Sequence, residues 1–184
     1  NFTMNHQKLP GQQLNLLPEA HYLSMGTLTF TVENVKIVGL GKKPTDTTID
    51  CLRHQCFRSG SNQRDGTPVF ASLIENVLIK HGRANEMGGA ALIQNVHHPV
   101  TFKDVEMHLN YAKIGGGALA IVECTSNINI IGGFLFHNGI NYNGLDVQAD
   151  KAAGDYTKFG GGTIVINSAF VNFDGVRMRG QHAR

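Results

Sequence analysis

Four charged side chains in the middle of the chain, Glu75, Lys103, Glu106 and His108, could do general acid–base chemistry. The alternation of apolar and polar residues around them predicts that all four point outward from neighbouring strands. Oppositely charged side chains on neighbouring strands are also typical of a solvated ladder, in which each pair contributes about 0.2 to 1 kcal/mol. We favour the ladder and predict no catalytic residues; if the chain is an enzyme, these four are the candidates.

No metal site or cofactor is predicted. His81 and His137 share one position of a repeat but lie two copies apart, roughly 9.6 Å at sheet spacing, which one ion cannot bridge. The glycine-rich runs lack the lysine and the strand-to-helix context of a phosphate loop.

The chain contains three cysteines. Cys51 and Cys56, in CLRHQC, are close enough for a small loop-closing disulfide, and two free thiols are the alternative. Cys124 falls in an apolar column and is predicted to be a buried thiol. Asn1, in Asn-Phe-Thr, matches the acceptor pattern for N-glycosylation.

These residues are positioned by an internal repeat whose central copies are 28 residues long. One apolar column recurs through the copies, with intervals of 42, 28, 28 and 43 residues, and it consists of Val32, Ile74, Phe102, Ile130 and Phe173. A second column holds only turn-forming residues, namely Asn34, Asn76, Asp104, Gly132 and Gly175. Each copy is therefore predicted to contain a short strand, a bend and another short strand.

The copies have no helical stripe, so their strands must pair with the equivalent strands of the next copy. This predicts an all-β chain, a right-handed parallel β-helix of about five rungs. Residues 1–26 do not fit the repeat and are predicted to be an N-terminal cap or a strand entering from a preceding region. Residues 27–184 form the β-helix, with loop insertions at about 42–68 and 140–158.

Paired glycines, Gly88-Gly89, Gly116-Gly117 and Gly161-Gly162, begin equivalent strands and predict a corner that needs positive φ or a close approach of backbones. The outward side of those strands is small and nearly uncharged, so we expect something to pack on it. That face consists of Ala90, Leu92, Ala118, Ala120, Thr163 and Val165. Phe134 and Phe136 are a second outward apolar pair, which could bind a glycan.

The composition argues against two classes of function, nucleic-acid binding and membrane insertion. The net charge of +2 and the absence of a basic stripe argue against a nucleic-acid partner. No apolar run approaches the roughly 18 residues of a membrane span, so no membrane insertion by this segment is expected. The chain begins at Asn1 without a signal-peptide pattern, and we expect a mature segment or a piece of a longer protein.

The run Met107-His-Leu-Asn110, followed after five residues by Gly116-Gly117-Ala118-Leu119, resembles the repeat of chlamydial polymorphic outer membrane proteins, which pair F-x-x-N with G-G-A-(I/L/V). More broadly, IVGLG, TTIDC and ENVLIKHG leading into GGAA resemble pectin-lyase-like β-helix domains, including those of protist, algal and bacterial surface proteins. The resemblance covers about residues 27 to 180.

The resemblance implies an extracellular or cell-surface module that is structural or adhesive, with other protein chains, further domains of the same chain or glycans as partners. It also supplies an alternative, because such scaffolds host polysaccharide lyases, epimerases and hydrolases. Uronate elimination needs carboxylates around calcium and a basic side chain, and hydrolysis needs paired carboxylates. We expect the non-catalytic function.

Overall fold

The computed structural model describes residues 12–62, 64–140, 164–167 and 170–180. Within those ranges the chain is all-β, with strands numbered β1 to β22 in chain order. One short 3-10 helix, Pro44–Asp46, is the only helical element among the described residues. Every described strand pairing is parallel except one.

Sheet I collects one strand from each successive copy of the repeat. Its order is β1 (Gln13–Leu16), β4 (Lys36–Gly39), β9 (Leu73–Glu75), β13 (Val100–Lys103), β17 (Ile128–Ile131) and β21 (Val171–Asp174). Ile74 pairs with Phe102, Phe102 with Ile130, and Ile130 with Phe173. Four members of the predicted apolar column are therefore confirmed in register.

Sheet II contains the strand that follows in each copy. Its order is β2 (Ala20–Tyr22), β5 (Thr48–Asp50), β10 (Leu78–Lys80), β14 (Glu106–His108), β18 (Phe134–Phe136) and β22 (Arg177–Arg179). Ile49, Ile79, Met107, Leu135 and Met178 occupy one column of this sheet. The column keeps an apolar residue at the same place in five neighbouring strands.

Two smaller parallel sheets and one hairpin complete the described structure. Sheet III has the order β3 (Leu28–Thr29), β6 (Phe57–Arg58), β12 (Ala91–Gln94), β16 (Leu119–Val122) and β20 (Ile164–Asn167). Sheet IV has the order β11 (Arg83–Ala84), β15 (Tyr111–Ala112) and β19 (Gly139–Ile140). The antiparallel pair is β7 (Gly60–Ser61) with β8 (Pro68–Val69).

The prediction that Val32 heads the apolar column is wrong. Ile37 pairs with Ile74, so the first copy is displaced by five residues from the predicted register. The similarity of Glu33-Asn34-Val35 to Glu75-Asn76-Val77 is misleading, because Asn34 bends the chain before β4 instead of after it. The position opposite Ile79 is filled by Ile49 of TTIDC.

Two of the bends that recur in the copies flank sheet II, and both use left-handed backbone conformations. Between sheets I and II, the φ values are 53° at Asn76, 51° at Asp104, 65° at Gly132 and 65° at Gly175. The predicted column of turn formers is therefore confirmed at these four positions. Asparagine, aspartate and glycine suit it because they tolerate positive φ.

The second bend follows sheet II, and its sequence carries no comparable signal. Here φ is 59° at His81, 54° at Leu109, 50° at His137 and 64° at Gly180. Only the last of these is a glycine. The register of the flanking strands, and not the residue type, imposes this conformation on histidine and leucine.

The core lies between sheets I, II and III, which contribute to one cluster of buried apolar side chains. A chain of aromatic contacts runs through it, with ring centroids 5.9 Å apart for Phe30–Phe57, 4.7 Å for Phe30–Phe70 and 6.1 Å for Phe70–Phe102. Ile74 and Ile79 are fully buried beside these rings. Matched apolar positions therefore form a continuous interior.

The structure adds detail within the sequence-based boundaries. Within residues 1–26, β1 and β2 add a strand to sheets I and II, so this segment continues the same pairing. Within residues 42–68, β5 and β6 also belong to the sheets, and the hairpin β7–β8 is the part that departs from them. Apart from Ile140, the predicted insertion at 140–158 lies outside the described residues.

The two described glycine pairs serve both predicted purposes, one at each glycine, whereas Gly161-Gly162 lies outside the described residues. Gly88 and Gly116 have φ values of 71° and 61°. A Cβ on Gly117 would overlap the backbone of Gly139, and one on Gly89 would overlap the backbone of Tyr111. The first glycine of the pair therefore turns the chain and the second lets a neighbouring strand approach.

Two buried asparagines link neighbouring copies. Asn110 Oδ1 accepts a hydrogen bond from the Gly82 amide at 2.8 Å, and Asn138 Oδ1 accepts one from the Asn110 amide at 3.0 Å. Asn110 Nδ2 donates to the Ile79 carbonyl at 3.1 Å, and Asn138 Nδ2 donates to the Met107 carbonyl at 2.7 Å. These amides satisfy backbone groups where the chain turns away from sheet II.

Candidate functional site

The four predicted acid–base residues form two pairs on different sheets. Glu75 and Lys103 are neighbours on β9 and β13 of sheet I. Glu106 and His108 both lie on β14 of sheet II. The bend at Asp104 separates the two pairs.

Lys103 and Glu75 form the predicted ion pair, with Nζ 2.6 Å from Oε1. The hydrogen bond and the negative charge of Glu75 raise the pKa of the Lys103 amine. A general base must give up its proton, and this pairing opposes that. The pair therefore fits the predicted charge ladder better than it fits catalysis.

His108 lies half-buried beside Glu106, with 3.0 Å between His108 Nε2 and Glu106 Oε2. Burial lowers the pKa of His108, and Glu106 only partly offsets this. Its ring meets Phe134 and Phe136 edge-on, at centroid distances of 5.9 Å and 5.6 Å.

We call the aromatic face the outward surface of sheet II formed by His108, Phe134, Phe136, His137 and Arg177. Phe134 and Phe136 stack at 5.7 Å, and His137 stacks on Phe136 at 4.0 Å. The Arg177 guanidinium lies 5.7 Å from the centre of the Phe134 ring. The predicted outward pair Phe134 and Phe136 is therefore a half-exposed platform with a cation beside it.

We expect the stability of the protein to fall in mild acid because of His108. The unfolded histidine titrates near 6.5 and the folded one lower, so the unfolded chain binds more protons between those two pKa values. The contribution of His108 to the free energy of unfolding therefore rises with pH in this window, and it is lost progressively as pH falls below about 6.5. Lys80 opposes protonation of the ring and Glu106 favours it.

Urea unfolding at pH 7.5 and pH 5.0 measures this loss. His108→Gln should make the loss smaller, whereas His97→Gln, at an exposed histidine, should leave it as in the unmodified protein. An unchanged pH dependence in His108→Gln would contradict the assignment.

Sequence reasoning missed a charged cluster on the same sheet. Asp50 Oδ2 lies 3.0 Å from His81 Nδ1 and 3.8 Å from Lys80 Nζ, although Asp50 is nearly buried. Asp50 Oδ1 also accepts a hydrogen bond from the Leu52 amide at 3.1 Å. The motif TTIDC is the sequence signal that could have revealed this cluster. When Ile49 of the motif is placed opposite Ile79, Asp50 falls opposite Lys80.

Four of the six residues of the predicted packing face are buried within the chain. Ala90 and Ala118 belong to the main core, because β12 and β16 begin one residue later and the strand alternation does not extend back to them. Leu92 and Ala120 are buried in a second small cluster with Val122, against which Met87 packs. Thr163 and the side chain of Val165 lie outside the described residues.

The cysteines divide into a pair and a single buried residue. The structure joins Cys51 and Cys56 in a disulfide, with 5.1 Å between their Cα atoms. Cys124 is buried in the core cluster, as predicted for a structural thiol. The glycosylation candidate Asn1 lies outside the described residues.

The apolar columns are uncovered at their last described strands. Phe173 is 42% exposed and Met178 is 50% exposed, whereas their partners Ile130 and Leu135 are 5% and 3% exposed. Ile166, at the corresponding end of sheet III, is also exposed. We call this surface, made by β20, β21 and β22, the open end.

Within the described residues, no group of three His, Cys, Asp or Glu side chains is arranged to hold a metal ion. The only helix in those ranges spans three residues, Pro44–Asp46, so none could cross a membrane. Comparisons of the chain with protein-family models, with curated proteins and with solved structures found no match.

Proposed function

We propose that the parallel sheets are the walls of a right-handed parallel β-helix of about five rungs, which serves as a non-catalytic structural or adhesive module of an extracellular or cell-surface assembly. The in-register pairing of equivalent strands in sheets I, II and III supports the architecture. The resemblance to pectin-lyase-like surface domains motivates the location.

The open end is the observation that carries the proposal. Phe173 and Met178 occupy the same columns as Ile130 and Leu135, yet no further strand covers them among the described residues. Burying a side chain of this size is worth about 1.5 to 3 kcal/mol. An apolar surface of this kind favours association with another polypeptide.

The partner should itself be β-structured. Among the described strands, β21 and β22 lie at the ends of sheets I and II, so a further strand could pair with their outer edges. Further strands in the same register would bury Phe173 and Met178 as the earlier copies are buried. We therefore propose a further β-helical coil as the partner, from another protein chain or from a further domain of the same chain.

Two other features fit this role. The disulfide between Cys51 and Cys56 suits an oxidising compartment such as the cell exterior. The aromatic face offers ring surfaces beside Arg177, which suits adhesion to a protein chain or a glycan. The alternative, a polysaccharide-acting enzyme, gains nothing from Lys103, because its ion pair favours the protonated amine.

Analytical ultracentrifugation of the 184-residue, 20.0 kDa chain tests the open end. We expect concentration-dependent association, because exposed apolar ends and strand edges can meet one another. Phe173→Lys/Met178→Lys should shift the sedimenting species toward the monomer, since two charges would then have to be buried at the contact.

Ile131→Lys is the matched control, because Ile131 is comparably exposed but lies on the outward side of sheet I. It should associate like the unmodified chain, and circular dichroism should show that both variants keep their strand content. A chain that stays monomeric at all concentrations, or an association that only Ile131→Lys removes, would refute association through the open end.

A further inference from the structure

A cavity of about 520 Å³, distinct from the aromatic face and the open end, is lined by three arginines. We call it the arginine pocket; its lining includes Arg53, His54, Arg58, Arg83, Glu86 and Leu92. Cavities of roughly 300 to 1,000 Å³ are the usual size of small-molecule sites. The pocket is therefore large enough for a small ligand carrying one charged group.

The backbone that carries the arginines is held at several points. Arg53 and His54 lie in the loop closed by the Cys51–Cys56 disulfide. The Arg53 amide donates to the His81 carbonyl at 3.0 Å, and the Arg83 amide donates to the His54 carbonyl at 2.9 Å.

A further contact ties this loop to the glycine corner of the next copy. The Gln55 side-chain amide donates to the carbonyls of Met87 and Gly88 at 2.8 Å and 2.9 Å. Fixed backbones reduce the conformational entropy that ligand binding would otherwise cost.

The charges in the pocket are unbalanced. Arg53, Arg58 and Arg83 contribute three positive charges and Glu86 one negative charge, which leaves two positive charges with His54 neutral. None of the three guanidinium groups belongs to an ion pair in the part of the chain that the structure describes. Their donors are therefore available to an anion.

We propose that the arginine pocket binds a divalent oxyanion, in the form of a sulfate or phosphate group on a small organic molecule. Guanidinium groups bind such oxyanions through paired, charge-assisted hydrogen bonds. Leu92 and Met87 supply an apolar part of the lining that can contact the carbon portion of the ligand.

Isothermal titration calorimetry of the full chain with inorganic sulfate, inorganic phosphate and, at matched ionic strength, chloride tests the site. We expect saturable binding of sulfate or phosphate and none of chloride; the tighter of the two identifies the preferred group. Arg53→Gln/Arg83→Gln should weaken binding at least about 100-fold, because each lost charged hydrogen bond costs about tenfold or more.

Lys36→Gln/Arg64→Gln is the matched control, since it removes two exposed positive charges that do not line the pocket and should bind the anion as the unmodified chain does. Arg58→Gln, which removes one arginine from β6, is a milder test and should weaken binding about tenfold. The proposal would be overturned if chloride gave the same heats as sulfate or phosphate, or if the control pair lost as much anion affinity as Arg53→Gln/Arg83→Gln. It would also be overturned if Arg53→Gln/Arg83→Gln or Arg58→Gln bound the anion as tightly as the unmodified chain.

Discussion

Replacing Gly117 with alanine is expected to destabilise the protein by about 3 kcal/mol or more. The added Cβ would overlap the carbonyl oxygen and the amide nitrogen of Gly139. Gly139 belongs to β19, and its amide donates to the Asn110 carbonyl at 3.0 Å. The overlap involves backbone and not a flexible side chain, so relief requires the backbone at Gly117 and β19 to move apart.

Urea unfolding followed by circular dichroism measures this loss. Gly66→Ala is the control, because Gly66 has a φ of 74° but no other atom lies within 4 Å of the place that an added Cβ would take. Strain alone should cost that variant about 1 to 2 kcal/mol. A free energy of unfolding for Gly117→Ala within about 1 kcal/mol of the original would contradict the close approach of the two backbones.

Replacing Asn110 with alanine is expected to cost about 3 to 5 kcal/mol. The change removes the acceptor of the buried Gly82 amide and the donor to the Ile79 carbonyl. It also removes the 3.0 Å bond from Asn110 Nδ2 to Asn138 Oδ1. Each buried polar group left without a partner costs about 1 to 3 kcal/mol, and Asn110 is fully buried.

The matched control is Asn129→Ala, since Asn129 also accepts a hydrogen bond from a neighbouring asparagine, Asn172, at 3.0 Å, but at an exposed position. It should cost less than about 1 kcal/mol. If urea unfolding showed the same loss of unfolding free energy in Asn110→Ala and Asn129→Ala, the buried hydrogen bonds of Asn110 would contribute no more to stability than an exposed one.

The repeat could be predicted from the sequence where apolar residues recur at a constant interval. Ile74, Phe102 and Ile130 are 28 residues apart, and each pairs with the next. Prediction failed at the first copy, where the interval changes and a short motif matches the wrong bend. Only the pairing of Ile37 with Ile74 sets the register there.

The corners were predictable to the extent that they use residues suited to positive φ. Asn76 and Asp104 identify the first bend, whereas His81 and Leu109 give no sign of the second. Backbone strain imposed by the flanking strands cannot be read from a histidine or a leucine.

The charged sites also divide into one that could be predicted from the sequence and one that could not. Glu75 and Lys103 were predicted to be neighbours because the interval between them matches the repeat, and they are paired. The cluster around Asp50 was missed because it depends on the corrected register of TTIDC. The burial of Ala90 depends on where β12 begins, which alternation within that strand does not specify.

The pairing of equivalent strands in one register is the claim on which the other inferences depend, and nuclear Overhauser effects between side chains test it most directly. We predict contacts from the Phe102 ring protons to the methyl groups of both Ile74 and Ile130, and from the Ile37 methyl groups to those of Ile74. Contacts from Val32 to Ile74 in place of Ile37, or a Phe102 ring in contact with neither isoleucine, would contradict the account.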